Sequence, residues 1–412
     1  MSMKSILIVG AGQAGYQVAA SLRQEGFEGT LTLIGDEPGV PYQRPPLSKA
    51  YLLGKVGVAA LRFRPPEYFD EHRIKRVHDH VDAIDREQRQ VVLASGQRLG
   101  YDHLVLAQGA RNRVPGVPGI ELDGVFGLRG LADADALSPR LGNARRAVVI
   151  GAGFIGLEFA AVAAARGMAV DVLELGARPM ARAVSVATSA VFDQAHAGWG
   201  VRIHYGQCLA AITGVDGHVT GVQLASGEHL PADLVVYGIG VLPNAELAGI
   251  AGLAVDNGIC VDAQLLTSDP LISAIGDAVC FPSPWAPNAI RLESVQNAVD
   301  QAKAVAARLM GKPADYAALP WFWTDQGDLK LQIAGLSDGH DATVVLGSVE
   351  KRQISVLCFR AGRLVAVESC NRPADHMAAR KLIARATTLS VAQASAPDFD
   401  LKAFEAATRT AA

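Results

Sequence analysis

Lys4-Ser5-Ile6-Leu7-Ile8-Val9-Gly10-Ala11-Gly12-Gln13-Ala14-Gly15 decides how the rest of the chain is read: an apolar run empties into a glycine turn, and a helical pattern follows. A short continuous apolar run before glycine reads as a strand buried on both faces. In the G-x-G-x-x-G spacing Gly10 permits the tight turn, Gly12 lets a pyrophosphate approach the backbone, and Gly15 lets helix pack close on strand. The helix N-terminus beyond offers free amides and the positive end of a dipole to phosphate. The next apolar run, 31–34, leads to Asp36-Glu37, where a ribose-binding carboxylate is expected.

The pattern occurs twice. Residues 147–150 run into Gly151-Ala152-Gly153-Phe154-Ile155-Gly156, and the apolar run 170–173 ends on Glu174. The repetition goes beyond the fingerprints: Leu93-Ala94-Ser95-Gly96 with Leu99, Asp102 and Val105 recurs as Leu224-Ala225-Ser226-Gly227 with Leu230, Asp233 and Val236. Two related dinucleotide-binding units in one chain imply one tightly held redox cofactor and one exchangeable nucleotide.

A length of 412 residues exceeds one core and fits two to three domains. Half the residues are hydrophobic and 19% charged, as in a globular protein with buried parallel sheet. A net charge of −3 gives no reason to expect nucleic-acid or membrane binding. The five cysteines are scattered without a C-x-x-C, so neither a disulfide framework nor a zinc site is indicated, and no metal ligands are assigned. One lysine and a short strand before glycine make no signal peptide, and no apolar run reaches membrane-spanning length. A soluble cytoplasmic protein is expected.

Between the units lie segments of distinct character. Pro41-Tyr42-Gln43-Arg44-Pro45-Pro46-Leu47-Ser48-Lys49 is stiffened by adjacent prolines. It reads either as a rigid loop delivering Arg44 and Lys49 to fixed places, or as a connector with Ser48 as N-cap and Lys49 solvated. Stretches 77–85, 90–94 and 98–106 read as a small meander returning to the parallel sheet. Ile272-Ser273-Ala274-Ile275-Gly276-Asp277-Ala278 is a strand followed by an Asp that either caps a helix or, at the carboxyl end of a strand, meets a ligand. Residues 293–308 form a long helical pattern. From 319 the character changes to α+β: Pro320-Trp321-Phe322-Trp323-Thr324-Asp325-Gln326, then strands, a helix over 374–386, and an Ala-rich tail expected to fray. The expected fold is α/β, with two Rossmann-like domains, 1–112 with 244–318 and 113–243, and an α+β domain over 319–412.

With these motifs the chain resembles the FAD-dependent, NADH-oxidising ferredoxin reductases of bacterial cytochrome P450 and aromatic dioxygenase systems. The resemblance covers almost the whole chain and rests on both fingerprints, the proline segment, Ile275-Gly276-Asp277-Ala278 and the tryptophan segment. It implies a glutathione-reductase-like fold whose first unit binds FAD through Gly10, Gly12, Ala14 and Gly15. Asp36 would then lie on the adenosine ribose, Arg44 near the pyrophosphate, Lys49 beside the flavin, and Asp277 on the ribityl chain, with Gly276 also in the cofactor site. Val81, Gly109, Val295 and Trp323 complete that set. The second unit would bind NADH through Gly151, Gly153, Ile155, Gly156 and Glu174, with Glu158 holding the nicotinamide amide. Lys49, Glu158 and Trp323 are the implied catalytic residues, and Trp321 or Trp323 would close the cavity over the flavin. As a bare pattern, the tryptophans also read as a core pair on one strand face. The family usually carries Thr before the glycine at 109, and Gln108 departs from it, which bears on a local FAD contact and not on the fold.

Disulfide reductases need a cysteine pair beside the flavin, and NADH peroxidases a single cysteine in the proline segment; neither is present. The electrons are therefore expected to leave for an external protein, which the resemblance implies is a [2Fe–2S] ferredoxin steered by a basic patch drawn from Arg62, Arg64, Arg73, Lys75, Arg76, Arg308 and Lys312. A monomer or weak homodimer is expected. Rival readings change the acceptor to rubredoxin, a quinone or monodehydroascorbate, or make the chain an NADH-sensing regulatory flavoprotein resembling the apoptosis-inducing factor.

Overall fold

The computed structural model describes residues 3–409. Contacts divide the chain into two compact units: Met1–Gln43 with Val58–Arg111 and Leu242–Pro320, and Arg44–Gly57 with Asn112–Val241 and Trp321–Ala412.

The first unit is built on a five-stranded parallel sheet in the order Ile272–Ala274, His103–Leu106, Ser5–Val9, Thr30–Gly35, Ile74–His78. Its central strands are apolar on both faces because both are covered; Ile6, Ile8, Leu104 and Val105 are fully buried. The sequence suggests one strand over 77–85, but the structure breaks it. Ile74–His78 joins the parallel sheet, and Val81–Asp85 opens an antiparallel meander with Gln90–Leu93 and Arg98–Gly100. Asp79 makes the break: its carboxylate accepts the amide of His80 at 2.7 Å, the local bond by which Asp ends regular structure. The long helix runs Val295–Leu309, starting after Ser294, whose hydroxyl accepts the Asn297 amide.

The second unit repeats the plan, with parallel order Val201–Tyr205, Ala169–Glu174, Arg146–Ile150, Leu234–Tyr237, Val125–Gly127, and its own antiparallel trio Leu209–Val215, His218–Leu224, His229–Pro231. The sequence repeat now has a physical meaning. Asp102 accepts the amides of Lys4 and Ser5 at 2.7 and 2.9 Å, and Asp233 accepts those of Arg145 and Arg146 at 3.0 Å each. Each Asp pins the edge at which its unit's fingerprint strand begins.

Residues 321–370 form a five-stranded antiparallel sheet backed by the helix Pro373–Ala384, in the same unit as the second parallel sheet. Buried polar bonds tie the two sheets' domains together: Glu368, fully buried, accepts the Ser185 hydroxyl at 2.7 Å and its amide at 2.9 and 3.0 Å. Up to Arg409 the tail differs from the frayed expectation, and 410–412 lie outside the described residues. Leu401–Arg409 is a helix packed on Pro373–Ala384, with Leu401 buried and the buried Glu405 carboxylate accepting Arg385 at 3.0 Å and Arg409 at 2.8 Å. Leu401, Phe404, Glu405 and Thr408 fall at helical spacing and give this helix one face to bury.

Candidate functional site

Each unit ends its central strand in the same glycine cradle. At Gly10 the backbone is left-handed, φ +105°, and a Cβ there would meet Ala107 O at 2.3 Å; a Cβ on Gly15 would meet Gly10 O at 1.8 Å. Gly12 differs: it sits at φ −81°, and apart from its neighbours along the chain no described atom lies within 4 Å of where its Cβ would be. The second turn repeats this. A Cβ on Gly156 would meet Gly151 O at 2.2 Å, whereas on Gly153 the nearest atom is 3.6 Å away. In both, the first and third glycines are demanded by the chain itself, and the second leaves open space at a helix N-terminus, where a pyrophosphate fits.

Around the first cradle the fold gathers several expected residues. A Cβ on Gly276, φ +80°, would touch Ala14 Cβ at 3.2 Å, and the Gly276 amide donates to Gln301 of the helix that begins at Val295. Asp277 lies inside a short turn, Gly276–Ala278, and so caps no helix. Gly109 and Gln108 are held by Asn244, which donates to Gln108 O and to Gly109 O at 2.9 Å each. The Gln108 side-chain oxygen is buried with no partner among the described atoms, an orphaned acceptor beside the Gly10 turn. Asp36 is exposed, and His80 Nδ1, directly before Val81, lies 3.5 Å from its carboxylate. The open cradle, the orphaned acceptor and the acid at the strand end suit an adenine dinucleotide such as FAD.

At the second cradle both Glu174 oxygens are engaged by backbone, Ala152 N at 2.8 Å and Gly176 N at 2.7 Å, which fixes the carboxylate at the turn with lone pairs to spare. Arg178 follows closely, but its guanidinium donates to the carbonyls of Val184 and Ala181 at 2.8 Å and to Ser185 O at 3.4 Å. It organises its own loop and does not turn toward Glu174.

The proline segment delivers its residues into the second unit. Arg44 donates to Arg129 O at 3.0 Å. After Pro45-Pro46 the chain makes one π-helical turn, Leu47–Tyr51, a geometry frequent at functional sites. The connector reading fails here: Pro46, not Ser48, stands at the cap, and Lys49 is not solvated. Lys49 Nζ lies 2.9 Å from Glu158 Oε1, with side-chain exposures of 18% and 4%. Glu158 sits on the otherwise apolar helix Phe154–Ala165, so its carboxylate has no water to lean on. Three donors supply what water would: Lys49, the Ser48 hydroxyl on Oε2, and the Thr324 hydroxyl on Oε1 at 2.6 Å. Ser48 and Thr324 are the site residues that sequence reading left without a role. Both stand inside quoted motifs, but a hydroxyl facing a buried acid carries no spacing signature.

Strand alternation separates the tryptophans from this cluster. Thr324 and Phe322 face Glu158 and Phe154, while Trp321 and Trp323 lie on the other face, their ring centroids 5.5 Å apart. Arg380 stacks over Trp321 at 4.8 Å and His376 meets it edge-on. Burial, with Arg380 second, pushes the His376 imidazole down to about 4, so no charged histidine underlies the pair at neutral pH. Elsewhere, Cys260 and Cys280 oppose each other across a short parallel ladder; burial first and Cys260 second push the Cys280 thiol up, which disfavours its thiolate. Among the described residues no cluster of three or more metal-ligating side chains occurs, and no helix is long and apolar enough to cross a membrane.

Residues 4–302 match the family model described as pyridine nucleotide-disulphide oxidoreductase, and 321–405 the one described as reductase C-terminal. Rhodocoxin reductase of Rhodococcus erythropolis is 51% identical over 399 residues, covering 97% of this chain and 93% of that protein. The solved ferredoxin reductase for the CYP199A2 system from Rhodopseudomonas palustris aligns with a TM-score of 0.96 at 50% identity, over 98% of this chain and 100% of that one. The reductase in the covalent putidaredoxin reductase–putidaredoxin complex aligns at 0.96 with 39% identity, over 99% and 100%.

Proposed function

Because the chain belongs to the pyridine nucleotide-disulphide oxidoreductase family, we propose that it is an NADH-dependent FAD flavoprotein delivering electrons to a [2Fe–2S] ferredoxin that serves a cytochrome P450 or similar oxygenase. The observation that carries this is the pair of open glycine cradles, one in each unit, with a buried Lys49–Glu158 pair in the second. The ferredoxin is supported by relatives whose names specify such acceptors, one of them solved joined to its partner. Bound FAD would supply the coupling of a two-electron donor to one-electron acceptors.

In this reading Gly10, Gly12, Ala14 and Gly15 hold the FAD phosphates, Asp36 and Val81 the adenosine end, and Arg44, Gly109, Gly276, Asp277 and Val295 the remainder. Gly151, Gly153, Ile155, Gly156 and Glu174 bind NADH. Glu158 orients the nicotinamide amide, and Lys49 places a positive charge beside the flavin. Trp323, on the strand face opposite Thr324, is the catalytic and cofactor-binding residue assigned to closing the cavity over the flavin. The protein is proposed to work in the cytoplasm as a monomer or weak homodimer.

NADH should exceed NADPH in kcat/KM by on the order of 100-fold, because a 2′-phosphate would face the Glu174 carboxylate. Glu174→Ala should narrow that gap; equal values in the wild type would remove the role given to Glu174. A second expectation concerns the acceptor. Arg62, Arg64, Arg73, Lys75 and Arg76 share the first unit and remain candidates for docking. Arg308 drops out, since its guanidinium is bonded to Ser273 and desolvated, and Lys312 is paired with Glu25 at 2.7 Å. NADH-driven ferredoxin reduction should slow by about tenfold or more from low to high salt, while NADH–ferricyanide turnover stays level. If every [2Fe–2S] partner is inert and rubredoxin or a quinone turns over, the acceptor assignment is wrong. Slow reoxidation by all of them would favour the regulatory reading.

A further inference from the structure

The Thr324 hydroxyl that donates to Glu158 is the end of a longer buried line. Gln326, two residues along and therefore on the same strand face, approaches Thr324 Oγ1 with its amide nitrogen at 3.4 Å. Its carbonyl oxygen lies 2.9 Å from His196 Nε2, on the helix Val186–Gly198. Thr324, Gln326 and His196 are 0%, 1% and 0% exposed. The amide nitrogen of Gln326 also lies 3.9 Å from Met180 Sδ, and Met180 N donates to Ala152 O in the second glycine turn.

The direction of each bond follows from its end. A carboxylate paired with Lys49 only accepts, so the Thr324 hydroxyl must donate to it and has only lone pairs left for Gln326. Gln326 must then turn its NH2 to Thr324 and its carbonyl to His196, which must carry its proton on Nε2. The opposite tautomer would bury a donor at Nδ1, where no described atom accepts. Burial pushes the His196 imidazole below its ordinary value, which keeps the ring neutral and the tautomer single. A carboxylate has about four lone-pair sites. Lys49, Ser48 and Thr324 occupy three, leaving one for an incoming amide.

We propose that Thr324 and Gln326 are positioning residues which, anchored on His196, hold the Glu158 carboxylate in the orientation where it can keep Lys49 and still accept the nicotinamide amide. The C-terminal domain thereby helps set the orientation of the reduced nucleotide. The inference rests on the reading of Glu158 as the nicotinamide contact.

The wild-type holoprotein, labelled with 15N-histidine, should show His196 as a neutral Nε2–H tautomer at pH 7; an Nδ1–H signal would reverse the line and overturn the proposal. Thr324→Val, nearly isosteric, should lower kcat for flavin reduction by NADH by about tenfold or more, while FAD content stays the same and KM changes less. Thr324→Ser should return kcat to within about twofold, since it restores the donor. Combined with Glu158→Gln, Thr324→Val should add little, because the two act through one group. If Glu158→Gln is impaired and Thr324→Val is not, the positioning role falls and the Glu158 reading stands. If Glu158→Gln reduces at the wild-type rate with unchanged NADH affinity, both fall.

Discussion

Gly12→Val is expected to give a folded protein that purifies without colour and does not take up FAD. The backbone there, φ −81° and ψ −159°, is extended and not left-handed, and apart from its neighbours along the chain no described atom lies within 4 Å of the new Cβ. The chain loses at most about 1 kcal/mol for a poorer helix cap, so the obstruction falls on the phosphates. FAD affinity should drop by on the order of 100-fold or more, since even about 2.7 kcal/mol of lost contact is that large. Gly153→Val, at φ −80° in the second cradle, should stay yellow and lose NADH affinity instead. Absorbance at the flavin bands and titration with each nucleotide separate the two. A Gly12→Val protein that retains FAD, or a Gly153→Val protein that loses it, would refute the division of labour between the cradles. Gly15→Val is the control: its Cβ would collide with Gly10 O at 1.8 Å, so it should fail to fold soundly.

Replacing Lys49 by Met is expected to be costly twice. It leaves the Glu158 carboxylate, 4% exposed, without its cation, which for a buried pair costs about 3 kcal/mol of stability. Glu158→Gln in the same background should return most of that loss, because the residue left behind no longer carries a charge. Catalysis should not return with it: reduction by NADH, followed as bleaching of the flavin band in stopped flow, should remain slower by on the order of 100-fold, as for other lost preorganised charges. Urea denaturation of the single and double variants tests the first part. Stability unchanged in Lys49→Met would mean that water or another cation replaces the lysine, and the site as described would be wrong.

The architecture was legible from the chain because parallel sheet and glycine turns leave local marks. A strand buried on both faces must be continuously apolar, as in 6–9 and 147–150, and a turn that folds a helix back on its own strand must be glycine at Gly10 and Gly151. Even the recurrence of Asp102 and Asp233 was visible, although its reason, pinning the first strand of each unit, was not.

Element ends were less legible, since Asp79 and Ser294 act through side-chain bonds to backbone amides that any loop residue of their type could make. The docked tail was not legible because Glu405, besides its i+4 partner Arg409 on the same helix, takes its other cation from Arg385, a partner set by how two helices meet. Sequence alone determined that two dinucleotide folds are present and which acids end their second strands. Only tertiary structure decided that Ser48, Lys49 and Thr324 converge on Glu158. The physical reason is range: backbone conformation is written in neighbouring residues, whereas a buried carboxylate takes its donors from whichever segments the fold brings within about 3 Å of it.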